Sequence, residues 1–95
     1  MILSPPVLVH LVAGARPNFM KIAPLYKALS AEPEHFCPQI VHTGQHYDLN
    51  MSETFFREFQ LPKPDLYLGV GSGSHAQQTA KVMTAYEEIC LSRPP

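Results

Sequence analysis

The run VLVHLVAGARPNFMKIAPL at 7–25 joins two different periodicities. Val7 to Ala13 is a continuous β-branched and aliphatic run broken only by His10, the pattern of a strand covered on both faces, as in a parallel sheet. From Asn18 to about Ser30, Phe19, Ile22, Leu25, Tyr26 and Leu29 recur at spacings of three and four, which makes one apolar helical stripe. Between the two, Gly14 to Pro17 has to turn the chain, and Pro17 sets the helix entry at a position whose backbone donor has no partner in any case. Pro24 falls inside the stripe. It predicts either an irregular first turn or a regular helix that begins near Ala23, with Pro24 at its tolerated first position.

The pattern repeats downstream. In FCPQIVHTG at 36–44, Pro38 opens a strand, Gln39 to Thr43 forms it and Gly44 ends it. Asn50 followed by Glu53 reads as a helix cap with its reciprocal partner, opening a helix from about Met51 to Gln60 with Phe55, Phe56 and Phe59 facing inward. Leu66 to Val70 is a weak third strand. After it, Ser74 and Gln77 form a capping box for a last helix running to about Leu91. The predicted fold is therefore α/β: a partial Rossmann-like, doubly wound parallel sheet of three strands and three helices. In the common strand order the first strand is central and a fourth pairs on its far side. With no fourth strand in these residues, the chain is expected to be a fragment whose first strand is a hydrophobic edge able to pair with a second copy.

Bulk properties narrow the function. At 95 residues, 45% hydrophobic and 16% charged, the chain is one small globular domain or a piece of a larger one. A net charge of −1 argues against nonspecific nucleic-acid binding. The longest apolar run is far too short to span a membrane, and the N-terminus lacks the basic flank of a signal peptide. Cys37 and Cys90 lie in no ligand-like spacing and read as small packing residues of a reduced chain. A cytoplasmic location is expected.

Positive charge is local: 1–31 contains Arg16, Lys21 and Lys27 and no acid. Two cations beside a helix N-terminus, where the dipole is already positive, make sense if an anion binds between them. Gly14 would let the ligand approach the backbone, Arg16 could fork onto two oxygens and Lys21 could reach back as a point charge. The alternative is that both are ordinary solvated charges. A second candidate is HTGQHYD at 42–48, where Gln45, His46 and Asp48 follow the second strand and suit a sugar hydroxyl, a uracil or a phosphate. Metal binding by His42 and His46 is disfavoured, because Gly44 separates them and no helix carries the pair. His10 reads as a satisfied core residue. The third candidate, the glycine-rich turn GSGSHAQQT at 71–79, could cradle a phosphate or ribose, but helix capping explains Ser74 and Gln77 fully. Paired carboxylates and a nucleophile with an adjacent base are both missing, so no catalytic residue is expected in this chain.

Taken together, GARPNFMKIAPLYKAL at 14–29, HTGQHYD, NMS at 50–52 and GSGSHAQQTAKV at 71–82 resemble the N-terminal segment of the non-hydrolysing UDP-N-acetylglucosamine 2-epimerases. The match runs from about Val7 to Leu91. The family's opening motif is met by Gly14, Arg16, Pro17, Lys21, Pro24 and Leu25, so the awkward Pro24 is shared with the family. The resemblance implies two Rossmann-like domains (a GT-B-like architecture), of which 1–95 would be the N-terminal part of the first. It implies interconversion of UDP-GlcNAc and UDP-ManNAc by elimination and re-addition of UDP through a 2-acetamidoglucal, with no metal or redox cofactor. Arg16 and Lys21 match positions that contact the nucleotide diphosphate; Gln45 and His46 match a motif associated with a second, activating UDP-GlcNAc. A homodimer is expected of the full-length enzyme. The family's catalytic acids and its uridine-binding C-terminal domain lie beyond the matched segment, so the chain alone is expected to be inactive. A glycosyltransferase of the same two-domain architecture, or a flavodoxin-like interaction module, are the alternatives.

Overall fold

The computed structural model describes residues 5–14, 16–44, 57–58, 60–71 and 73–95. The elements are β1 (Val7–Ala13), α1 (Arg16–Ser30), β2 (Phe36–His42), β3 (Leu66–Tyr67) and α2 (His75–Ser92). The three strands are parallel in the order β1-β2-β3. β1 and β2 pair from Val7↔Phe36 through Ala13↔His42, and β3 adds only Val41↔Leu66 and His42↔Tyr67.

Strand alternation sorts the side chains onto two faces. Leu11, Ala13 and Ile40 lie on one, where they form the buried cluster with Phe19, Ile22 and Ala23 of α1 and with Leu61. His10, Val12, Gln39 and Val41 alternate with them on the other face, where Tyr86 of α2 meets His10. Helices on both faces of a parallel sheet give the Rossmann-like, doubly wound arrangement predicted from the repeating pattern.

The expectation that β1 is covered on both faces needs correction: Val7 is 56% and Val12 39% exposed. β1 is the edge of the sheet among the described residues, and α2 contains no fully buried residue. The second layer is thus thin.

Proline positions differ from expectation as well. α1 is continuous across Pro24 rather than starting near Ala23. Both Pro24 and Met20, whose carbonyl loses its helical donor to Pro24, have exposed side chains, so water can serve the freed group. β2 likewise begins at Phe36, with Pro38 inside it opposite Val9. Odd-numbered positions of β2 bond toward β1, as in Val7 N–H donating to His35 O (2.8 Å) and Thr43 N–H to Ala13 O (3.0 Å). Even-numbered ones bond toward β3, as in Asp65 N–H donating to Ile40 O (2.9 Å) and Leu68 N–H to His42 O (2.8 Å). Pro38 therefore directs its missing donor to the side where β3 is too short to reach. Next along that side, the Ile40 N–H donates to Asp65 Oδ2 at 2.8 Å, a side chain completing the ladder.

The apolar stripe of α1 is as expected at Phe19, Ile22, Tyr26 and Leu29, with Ala23 in place of Leu25. Phe19, Ile22 and Ala23 are buried and Tyr26 and Leu29 pack against them, whereas Leu25 is 53% exposed. At about 100° per residue Ala23 sits roughly 40° from Phe19, while Leu25 lies about 100° round from Tyr26. β3 is shorter than Leu66–Val70 because Gly69 adopts φ 72 and turns the chain. The helix expected over Met51–Gln60 lies outside the described residues except for Arg57 and Glu58, which are helical, and Gln60, which is in a turn with φ 57. α2 starts and ends within a residue of expectation. Cys37 is exposed rather than packed.

His10 is only half satisfied, contrary to expectation: Nδ1 pairs with the Tyr86 hydroxyl at 2.9 Å, but the buried Nε2 has no protein partner. Burial, helped by the nearby Arg93 charge, holds the imidazolium below its usual range. Between the folded-state pKa and about 6.5 the unfolded chain binds more protons than the native one, so native stability falls as pH drops through that window. Urea midpoints at pH 7.5 and 5 should show this decrease in the wild-type chain, with a smaller decrease in His10→Phe.

Candidate functional site

The carboxyl ends of all three strands face one edge, where the turns after β1, β2 and β3 converge. Backbone bonds stitch them together. Thr43 N–H donates to Ala13 O, Gly69 N–H to Gly44 O (3.0 Å) and Val70 N–H to Thr43 O (2.9 Å). Open α/β sheets hold their ligands at this edge.

Gly14 closes β1 and is exposed. A Cβ there would collide with Thr43 Oγ1 and lie 3.2 Å from Thr43 Cβ, so the glycine is required by the neighbouring β2 turn, whatever it does for a ligand. Its N–H donates to Asn18 Oδ1 at 3.3 Å, and this amide is thus not open to an anion.

Arg16 is the first residue of α1, and no acid follows in the first turn. Lys21 is exposed. Five residues of helix put the two Cα atoms about 140° apart around the axis and roughly 7.5 Å along it. Arg16 alone stands at the helix mouth; Lys21 must reach back along the helix to share an anion with it. The side chains of Arg16 and Pro17, and residues Gln45, His46 and Asp48, lie outside the described residues.

The residue that organises this edge is His42, which its spacing from His46 makes a poor metal ligand. It is buried, and its ring lies between Phe19 and Tyr67 with centroids 5.5 Å from each. Nδ1 accepts the Gly44 N–H at 2.8 Å, so that nitrogen bears no proton and is engaged by protein. A strand–turn junction is thereby fixed immediately before Gln45. The available signal was alternation: His42 falls two residues after Ile40 on the core-facing side of β2. Among the described residues no three His, Cys, Asp or Glu side chains form a metal-binding group.

The third turn behaves as a cap. Gln77 N–H donates to Ser74 Oγ (3.1 Å) and Ser74 N–H to Gln77 Oε1 (3.0 Å), closing the box and occupying both amides internally. No helix among the described residues is long and apolar enough to cross a membrane.

A parallel sheet with helices on both faces and a cation at the start of the first helix defines a Rossmann-like α/β domain, a class of fold that takes its ligands at this edge. A family profile for UDP-N-acetylglucosamine 2-epimerase matches residues 27–95. The chain belongs to that family. It is 45% identical over 84 residues to a UDP-N-acetylglucosamine 2-epimerase homolog of Methanococcus maripaludis, covering 88% of this chain and 23% of the relative. Over the same length it is 42% identical to the UDP-2,3-diacetamido-2,3-dideoxy-D-glucuronate 2-epimerase of Pseudomonas aeruginosa. Its fold superposes with a TM-score of 0.81 and 36% identity on the Methanocaldococcus jannaschii UDP-GlcNAc 2-epimerase solved with UDP-GlcNAc and UDP, across 94% of this chain and 24% of that one. The chain thus spans about a quarter of the length of the relatives it matches.

Proposed function

We propose that residues 1–95 are the N-terminal part of the first of two Rossmann-like domains in a cytoplasmic 2-epimerase acting on a UDP-linked 2-acetamido sugar. UDP-GlcNAc and UDP-ManNAc would be interconverted by elimination and re-addition of UDP. The observation supporting this reading most strongly is Arg16 at the mouth of α1, on the ligand-binding edge, in a chain of this family. Arg16 is the principal diphosphate contact and Lys21 an auxiliary one; Gly14 and Pro17 shape the turn. Gln45 and His46, next to the junction fixed by His42, belong to a site for a second, activating UDP-sugar. The chain supplies no catalytic acid or base, and turnover depends on sequence corresponding to the rest of the relatives' length. The exposed β1 edge is suited to pairing with a second copy when the chain is alone, and the complete enzyme is a homodimer.

The Pseudomonas relative supports a second reading, in which the sugar is a diacetamido uronate. Both substrates share the diphosphate and the 2-acetamido group, so Arg16 has the same task in each. The test is turnover by a protein that continues this chain through the length of its relatives, offered each UDP-sugar in turn. Epimerisation of UDP-GlcNAc is expected, reduced at least about tenfold by Arg16→Ala, as loss of a charge-assisted contact requires. Turnover of the uronate alone would move the assignment to the second reading. Full activity in the Arg16→Ala protein would remove the diphosphate role.

A further inference from the structure

On the sheet face opposite the proposed diphosphate turn's helix, β1 and β2 set His10 and Gln39 side by side as register partners. Tyr86 of α2 covers the His10 ring edge-on, with centroids 5.6 Å apart and planes at 72°, and its hydroxyl takes Nδ1. Two polar atoms of this row, His10 Nε2 and Gln39 Oε1, are both buried and lack any hydrogen-bond partner within the protein. Native proteins leave few such atoms unpaired, and two on adjacent residues call for one shared partner.

We propose that a single internal water molecule is bound beneath α2, bridging His10 Nε2 and Gln39 Oε1. The chemistry of the pair selects water over other occupants. An anion cannot donate to Gln39 Oε1. A cation is opposed by the positive Arg93 close by in either tautomer, and finds no lone pair on Nε2 when that atom carries the proton. An apolar group would leave both atoms unpaired. Water fits either neutral histidine: it accepts from Nε2–H and donates to Gln39 when Tyr86 donates to Nδ1, or it donates to both when the proton is on Nδ1. Such a bridge ties the edge strand to its neighbour directly under a helix that buries no residue of its own.

The test is nuclear Overhauser transfer from water to the His10 ring protons of the isotope-labelled chain. A cross-peak with the sign of a long-lived bound water is expected in the wild type. It should be lost in Gln39→Met, which keeps the side-chain length without the acceptor, and kept in Gln39→Glu, which restores one. Should Gln39→Met fail to fold, the wild-type and Gln39→Glu spectra decide alone. Absence of the cross-peak in wild type, or its persistence in a folded Gln39→Met chain, overturns the proposal.

Discussion

Phe19→Ala is expected to destabilise the chain by roughly 3–5 kcal/mol, while Leu25→Ala, six residues along the same helix, changes stability by no more than about 0.5 kcal/mol. Periodicity places both residues on one stripe. The fold separates them: Phe19 is 2% exposed, packed in the core cluster and against the His42 ring, and Leu25 is mostly in water. Truncating Phe19 removes ring surface that was buried and leaves a hole that Ile22, Ala23 and Ile40 are too constrained to fill. It also takes one wall from the His42 sandwich, loosening the junction that holds Gly44. For a domain this small, several kcal/mol is a large part of the net stability. Urea unfolding followed by circular dichroism should therefore show Phe19→Ala largely unfolded without denaturant and Leu25→Ala near wild type. Equal effects of the two substitutions would contradict the packing described.

The second large effect is expected at Gly14. Gly14→Ala inserts a methyl group where Thr43 already stands, and overpacking of this kind costs about 1–3 kcal/mol. The backbone there is tied on both sides, by Thr43 N–H to Ala13 O and by the Gly14–Asn18 contact, so relief has to come from turning the Thr43 side chain, which still leaves its Cβ 3.2 Å away. Thr43→Ala, by removing Oγ1, should recover most of the loss, giving a coupling energy between the two sites of about 1 kcal/mol or more in a double-mutant cycle. Additive effects would place the requirement for glycine elsewhere.

Much of the architecture was legible because it rests on short-range rules. β1 is a run of aliphatic residues, and the Ser74–Gln77 box announces the start of α2 with both of its hydrogen bonds in place. The parallel alternation of strand and helix follows from these. Other features depend on neighbours distant in sequence. Pro38 is tolerated inside β2 because β3 begins only at Leu66, opposite Val41, and leaves the β3 side of Pro38 unpaired. The thin cover over Val12 depends on how α2 sits. At the candidate site, Arg16 was conspicuous as a cation at a helix start. His42 was not: alternation puts it on the same side of β2 as Ile40, but the rings that flank it, Phe19 and Tyr67, come from elements distant in sequence. The reason for Gly14 was also hidden, as Thr43 lies in the turn after β2, distant in sequence.

The central claim is that Arg16 holds a diphosphate at the mouth of α1. It is tested most directly by titrating the 95-residue chain with UDP and following backbone amide resonances in wild type, Arg16→Ala and Lys21→Ala. Weak binding is expected, because most contacts of a complete site are missing. Shifts should cluster from Gly14 to Lys21, disappear in Arg16→Ala and diminish in Lys21→Ala. Shifts centred elsewhere, or unchanged in Arg16→Ala, would contradict the assignment.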